Sequence, residues 1–241
     1  MNKPENNKFS VGFADGIPIG LGYLSVAFAF GLYAVSSGLA VWQAVLISMF
    51  NLTSSGQLAA VPIIASLGSI LELLATQLVI NIRYSLMSIS LTQRLGPSVR
   101  NSDRFLISFF NTDEVFAVSS ARGEMLGRRY FYGIGLAPYL GWTLGTLLGA
   151  VAGNLLPESV VNALGIAIYA MFIAIILPAA RADKKTLLAI LAAIGMSVLF
   201  NYAPILSSIP AGFVIVICAV AVSALFALVA PIDDGEGEVS E

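Results

Sequence analysis

The sequence predicts an all-α fold, a polytopic bundle of transmembrane helices, on three observations. Of its 241 residues, 58% are hydrophobic and 11% are charged, whereas a soluble globular domain carries roughly 25% charged residues. So few charges cannot clothe a water-facing surface at this length. The apolar residues also fall in long blocks, several near the roughly 20 residues of a helical crossing. Finally, the blocks lack the period of two that barrel strands would show.

Eight apolar segments follow one another, at about 17–36, 42–66, 68–91, 105–120, 130–153, 160–180, 186–201 and 210–230. The first follows Lys3 and Lys8. It exceeds a signal-peptide core of roughly 7–15 residues, so it is expected to be a retained membrane helix. The second carries Asn51, Thr53, Ser54, Ser55, Gly56 and Gln57 at its centre. These residues are expected to break the helix, and unwound backbone at that depth must line a cavity or be buried in protein. Segments 105–120 and 186–201 are short for a full crossing. Residues 1–230 are expected to form one transmembrane transport domain, and 231–241 a disordered acidic tail.

Positive charge orients such a bundle, because basic loops stay in the cytoplasm. Basic residues cluster at Lys3/Lys8, Arg94/Arg100/Arg104, Arg122/Arg128/Arg129 and Arg181/Lys184/Lys185. All four clusters fall inside if 42–66 and 105–120 enter the membrane and return, giving six full crossings plus two interrupted segments. If both segments span, there are eight crossings, and Arg94, Arg100 and Arg104 fall outside. A weak internal repeat, offset by about 120 residues, sets Pro18 on Pro138 and Asn81 on Asn201, and it favours eight. The charge pattern is preferred here. Either count leaves both termini cytoplasmic, in the inner membrane of a prokaryote.

Composition removes several functions. A net charge of −2 gives no electrostatic case for nucleic acid. The lone cysteine, Cys218, excludes a disulfide framework and a cysteine metal cluster. The absence of histidine removes Ser-His-Asp chemistry, most zinc sites and histidine proton relays. An enzyme is therefore not expected, nor a metal or cofactor, and any proton-coupled step falls to Asp or Glu.

Three features remain within the apolar blocks. Gly141, Gly145, Gly149 and Gly153 recur every fourth residue and lie along one helix face, open to close packing by another helix. Gly12, Gly16 and Gly20 form a shorter stripe. The packing partner is either a helix of this chain or a second subunit. Arg83 is the only charge between Leu73 and Leu91. It shares a face with Glu72, Thr76 and Ser90, and it either lines a pathway or snorkels to headgroups. Asp113 and Glu114 are adjacent carboxylates in a short apolar segment. One of them could carry a proton; alternatively they pair with Arg104 or Arg122 at the interface. Glu72 is a third carboxylate candidate for proton coupling.

The stretches Gly16-Ile17-Pro18-Ile19-Gly20, Ser54-Ser55-Gly56-Gln57, Asn81-Ile82-Arg83-Tyr84 and Thr112-Asp113-Glu114, in this order and spacing, resemble the large subunit of two-component branched-chain amino acid exporters, the azaleucine-resistance (AzlC-like) permeases. The second turn departs from the family's Ala-Gly-Ser-x-Gln-like form. The resemblance implies export of leucine, isoleucine, valine and similar amino acids such as methionine, driven by proton-motive force. It also implies a small AzlD-like membrane subunit as partner. Arg83, Asn81, Ser54, Ser55 and Gln57 are then the candidate substrate-binding residues, and Asp113, Glu114 and Glu72 the candidate proton-coupling ones. The competing expectation is a passive channel for a small neutral or anionic solute.

Overall fold

Two 28-residue helices, α1 (Phe9–Ser36) and α7 (Arg128–Leu155), lie side by side at the heart of the computed structural model, which describes residues 5–157, 159, 173, 176–178, 180–204, 206 and 208–229. Glycine sets how closely they approach. A Cβ on Gly12, Gly16 or Gly20 would strike the α7 backbone at Tyr130, Ile134 and Ala137 in turn. One on Gly141, Gly145 or Gly149 would strike the α1 backbone at Gly20, Leu24 and Phe28. The two glycine stripes therefore face each other, and the seam runs parallel, low numbers against low. At Gly153 the fit relaxes to an ordinary 3.5 Å from Leu32. Without side chains between them, the backbones gain dispersion contact along the whole length, which replaces hydrophobic drive between helices in lipid.

Four short helices border this pair, and the remaining long ones pack outside them. Helix α2 (Val41–Phe50) and helix α3 (Ser54–Ala65) are two short pieces separated at Asn51–Thr53. Helix α4 (Ile70–Leu91) follows. Helix α5 (Asn101–Phe110) and helix α6 (Asp113–Ala121) are again two short pieces, separated at Asn111–Thr112. After α7 come α8 (Lys184–Tyr202) and α9 (Ala211–Val229), packed together as a hairpin. Five helices among the described residues are long and apolar enough to cross a membrane: α1, α4 with its 3₁₀ extension to Arg94, α7, α8 and α9. Segment 160–180 lies mainly outside the described residues, and Lys3 and the acidic tail lie wholly outside them.

A small parallel ladder decides the path of the chain. Strand β1 (Glu5–Asn6) pairs with strand β2 (Met125–Leu126), and Leu95 bridges to Leu126. The Gly96 amide donates to the Leu126 carbonyl at 2.8 Å, and the Ser98 hydroxyl donates to Glu5. The N-terminus, the loop after α4 and the loop after α6 therefore meet on one face. Since α4 ends on that face, it begins on the other, where α1 also ends. The α2–α3 segment thus starts and finishes on the far face, and the α5–α6 segment starts and finishes on the near one. Both segments enter and return. The eight-crossing alternative, which parts Arg94, Arg100 and Arg104 from the other clusters, does not fit this ladder.

The near face carries Lys8, Arg94, Arg100, Arg104, Arg122, Arg128 and Arg129. The far-face connections Ser37–Ala40 and Ser66–Ser69 carry no charge. Helix α9 begins at the far face, where the Gly212 amide donates to Glu72 Oε1 at 2.8 Å. The hairpin therefore returns Lys184 and Lys185 toward the basic face. Of the two residue pairs that the offset aligns, Pro18 and Pro138 do lie on matching helices: α1 and α7 agree in length, orientation and internal proline. Asn81 lies on a helix running from far face to near, whereas Asn201 lies on one running the opposite way, so the offset does not relate their surroundings.

Candidate functional site

Halfway along the α1–α7 pair lies a partly open cavity of about 310 Å³. Pro18 helps to shape it. A proline inside a helix removes one backbone hydrogen bond and opens the groove side of the turn. From α1 come Gly22 and Tyr23, and from α7 comes Trp142, whose ring meets that of Tyr23 edge-on at 5.1 Å. The two helix breaks supply the polar wall. Leu52 and Ser54 come from the first break, Asp113 and Glu114 from the second, and Tyr84 of α4 stands alongside.

Each break opens on an asparagine and re-enters helix through extended backbone, at Thr53 (φ −113°, ψ 111°) and at Thr112 (φ −92°, ψ 172°). The chain thereby presents the start of α3, with Ser54, and the start of α6, with its two acids, to the same cavity. A helix start exposes unpaired amide groups and favours negative charge. That preference suits Asp113 and Glu114, and it leaves the start of α3 able to receive an anion.

The charges are arranged as pairs. Arg83 Nη2 lies 2.8 Å from Asp113 Oδ2, with the two side chains 49% and 43% exposed, so both groups remain within reach of a solute rather than sealed in protein. The guanidinium also covers the Tyr84 ring at 4.9 Å and donates to the Tyr84 hydroxyl at 3.3 Å. The Tyr23 hydroxyl donates to Glu114 Oε2. Arg83 is therefore held by Asp113 and not by Glu72, three turns back on its own helix, and Asp113 and Glu114 pair with neither Arg104 nor Arg122. Arg122 is taken instead by Asp15 at 2.5 Å and Glu124 at 3.4 Å.

The other candidates fall in different places. Ser54 lines the cavity; Ser55, beside it on α3, does not. Gln57 is fully buried and donates to Ser48 Oγ at 3.0 Å and to the Asn51 carbonyl at 2.8 Å. Asn81 donates to Gln77 Oε1 at 3.0 Å, while Gln77 donates to the Gly56 carbonyl at 2.8 Å. Gln57 and Asn81 thus brace the α2–α3 break from behind. Glu72 sits at the far-face end of α4, buried, and holds the start of α9, well removed from Arg83. The glycines of α7 pack on α1 of this same chain.

Sequence reading overlooked Tyr23, Trp142 and the brace formed by Gln77, Ser48 and Thr146. The Ser48 and Thr146 hydroxyls are 2.6 Å apart. Trp142 is 2% exposed, and its indole N–H has no partner among the described residues. The usable signal was an indole four residues past Pro138 on a glycine-striped helix. Among the described residues, no group of three His, Cys, Asp or Glu side chains converges as a metal site.

The AzlC protein family matches residues 18–156, which span α1 from its proline to the end of α7. The chain is 30% identical over 198 residues to inner membrane protein YgaZ of Escherichia coli, covering 79% of this chain and 80% of that one. It is 31% identical over 172 residues to an uncharacterized membrane protein of Archaeoglobus fulgidus, covering 70% and 75% respectively. No solved structure matches.

Proposed function

Starting from the fact that the chain belongs to the AzlC family of membrane proteins, we propose that it is a secondary transporter that exports branched-chain amino acids through the central cavity. The observation that carries this reading is the cavity itself. It lies midway along the two core helices, and its wall combines Asp113, whose ion-pair partner Arg83 stands just outside the lining, a second carboxylate and Ser54 at a helix start with Ile19, Val26, Leu52 and Trp142. An aliphatic zwitterion needs those elements: a donor for its carboxylate, an acid for its ammonium and an apolar wall for its side chain. Arg83 and the start of α3 serve the carboxylate, and Asp113 or Glu114 serves the ammonium or a coupling proton. Discontinuous helices with ends at mid-bundle are a recurring way for transporters to hold small charged solutes.

The basic face is read as cytoplasmic, since seven arginines and lysines gather there against none in the two far-face connections. On that reading both termini are cytoplasmic. A small AzlD-like membrane subunit is the expected partner. In proteoliposomes, an imposed pH gradient should drive leucine uphill, and Asp113→Asn or Glu114→Gln should abolish accumulation while substrate exchange persists. Accumulation at wild-type gradients by both variants removes the coupling role. Downhill flux alone, indifferent to the pH gradient, identifies a channel.

A further inference from the structure

A second pocket, of about 240 Å³, opens near the basic face between the end of α4 and α5. Ser88, Ile89, Leu91, Thr92 and Leu95 line one side, and Arg104, Ile107 and Ser108 the other. Its chemistry differs from that of the central cavity, because one cation and three hydroxyls meet four aliphatic side chains, with no acid in the lining. Arg104 has neither an ion-pair nor a hydrogen-bond partner among the described residues. The neighbouring Asp103 is already committed, accepting from the Tyr132 hydroxyl at 2.5 Å and from the Arg100 amide at 2.8 Å.

The pocket also abuts the central site. Asn111, at the α5–α6 break, donates to the lining residue Ser88 at 3.0 Å. Asn111 is 3% exposed, and its side-chain oxygen has no partner among the described residues. Two residues further on is Asp113, on the wall of the central cavity. A side-chain hydrogen bond thus ties the wall of this pocket to the segment that carries Asp113.

We propose that this pocket is a second binding subsite for branched aliphatic carboxylates, placed before the central cavity on the basic side. Arg104 takes the carboxylate, since its guanidinium is free and forks onto two oxygens. Ile89, Leu91, Leu95 and Ile107 take the branched side chain. With no acid in its lining, the subsite does not read the ammonium group, which is left to Asp113 and Glu114 deeper in. It therefore accepts 4-methylpentanoate, the des-amino form of leucine, as well as leucine itself. The site of entry rests on the transport reading above; the ligand chemistry does not.

The test uses the purified full chain with Cys218→Ser and a reporter cysteine at Ser108, or at Thr92 if the first variant folds poorly. Leucine and 4-methylpentanoate should both slow maleimide labelling of the reporter several-fold, leucinol should not, and Arg104→Gln should remove the protection. Equal protection by leucinol, or protection that survives Arg104→Gln, overturns the proposal. Protection by neither carboxylate, with labelling slowed instead by anionic phospholipid, overturns it in favour of a lipid occupant. Protection as described in a protein that transports no leucine keeps the subsite and removes the transport reading. Leucine transport without protection does the reverse.

Discussion

Arg83 and Asp113 meet at 2.8 Å from two elements that are remote in sequence. The lone arginine was legible, because an isolated charge within an apolar helix demands a partner. The identity of the partner was not, since Glu72 shares its helical face and Asp113 comes within reach only through the break at Asn111–Thr112. The ion pair predicts a specific pattern of variants. Arg83→Gln or Asp113→Asn alone leaves one charge unmatched, and each should lower the yield of folded protein and the transport rate. The double variant should recover folding beyond either single one, as read by melting in detergent; no recovery would show that the two charges act separately. Arg83→Lys keeps the charge but loses the fork and the stacking on Tyr84, and should transport several-fold more slowly. Glu72 belongs to a different calculation. Glu72→Ala would strip the Gly212 amide of its side-chain acceptor, a loss of about 1–3 kcal/mol. It should loosen α9, speeding amide exchange at its first turn, with the central cavity intact; unchanged exchange there would refute the bond's role.

The α1–α7 seam shows what a pattern on an element can and cannot reveal. The fourfold glycine spacing announced close packing, but it did not say that the two stripes pack on each other, because spacing carries no information about partners. The would-be Cβ of Gly149 lands on the Phe28 backbone, which cannot swing aside as a side chain would. Gly149→Ala should therefore push the helices apart and cost more than the about 1–3 kcal/mol of ordinary overpacking. Gly195, on α8, has nothing within 4 Å of its would-be Cβ. Gly195→Ala should be neutral, or should stabilise by up to about 1 kcal/mol through helix propensity. Equal melting temperatures for the two variants would contradict the seam. The breaks behave differently again. Polar residues at Asn51–Gln57 predicted an interruption, and the chain does unwind at Asn51–Thr53. The same stretch did not reveal which polar groups face the cavity: Ser54 does, whereas Gln57 turns back to Ser48 and Asn51. Side-chain direction at a helix break depends on backbone angles that composition does not encode.

At the scale of the whole molecule, the distribution of charge was the more informative sequence signal and the internal offset the less. Basic residues report a simple electrostatic preference for one side of the membrane. A match of residue type says nothing by itself of surroundings: Pro18 and Pro138 lie on matching helices, whereas Asn81 and Asn201 lie on α4 and α8, which run in opposed directions. The ladder joining Glu5–Asn6, Leu95 and Met125–Leu126 makes a topological prediction. Single cysteines at Asn101 and Gly123, in a Cys218→Ser background, should label from the same side as a tag on the N-terminus, and one at Gly38 from the other. Labelling of position 101 from the side of Gly38 would restore eight crossings. The central claim is that an aliphatic amino acid passes through the cavity between the two breaks, and counterflow in proteoliposomes containing the chain, with and without the proposed AzlD-like subunit, addresses it most directly. Vesicles loaded with unlabelled leucine should transiently concentrate labelled leucine from outside, and Arg83→Ala should abolish that overshoot. Absence of any overshoot from correctly folded wild-type protein with leucine, isoleucine, valine or methionine would contradict the account.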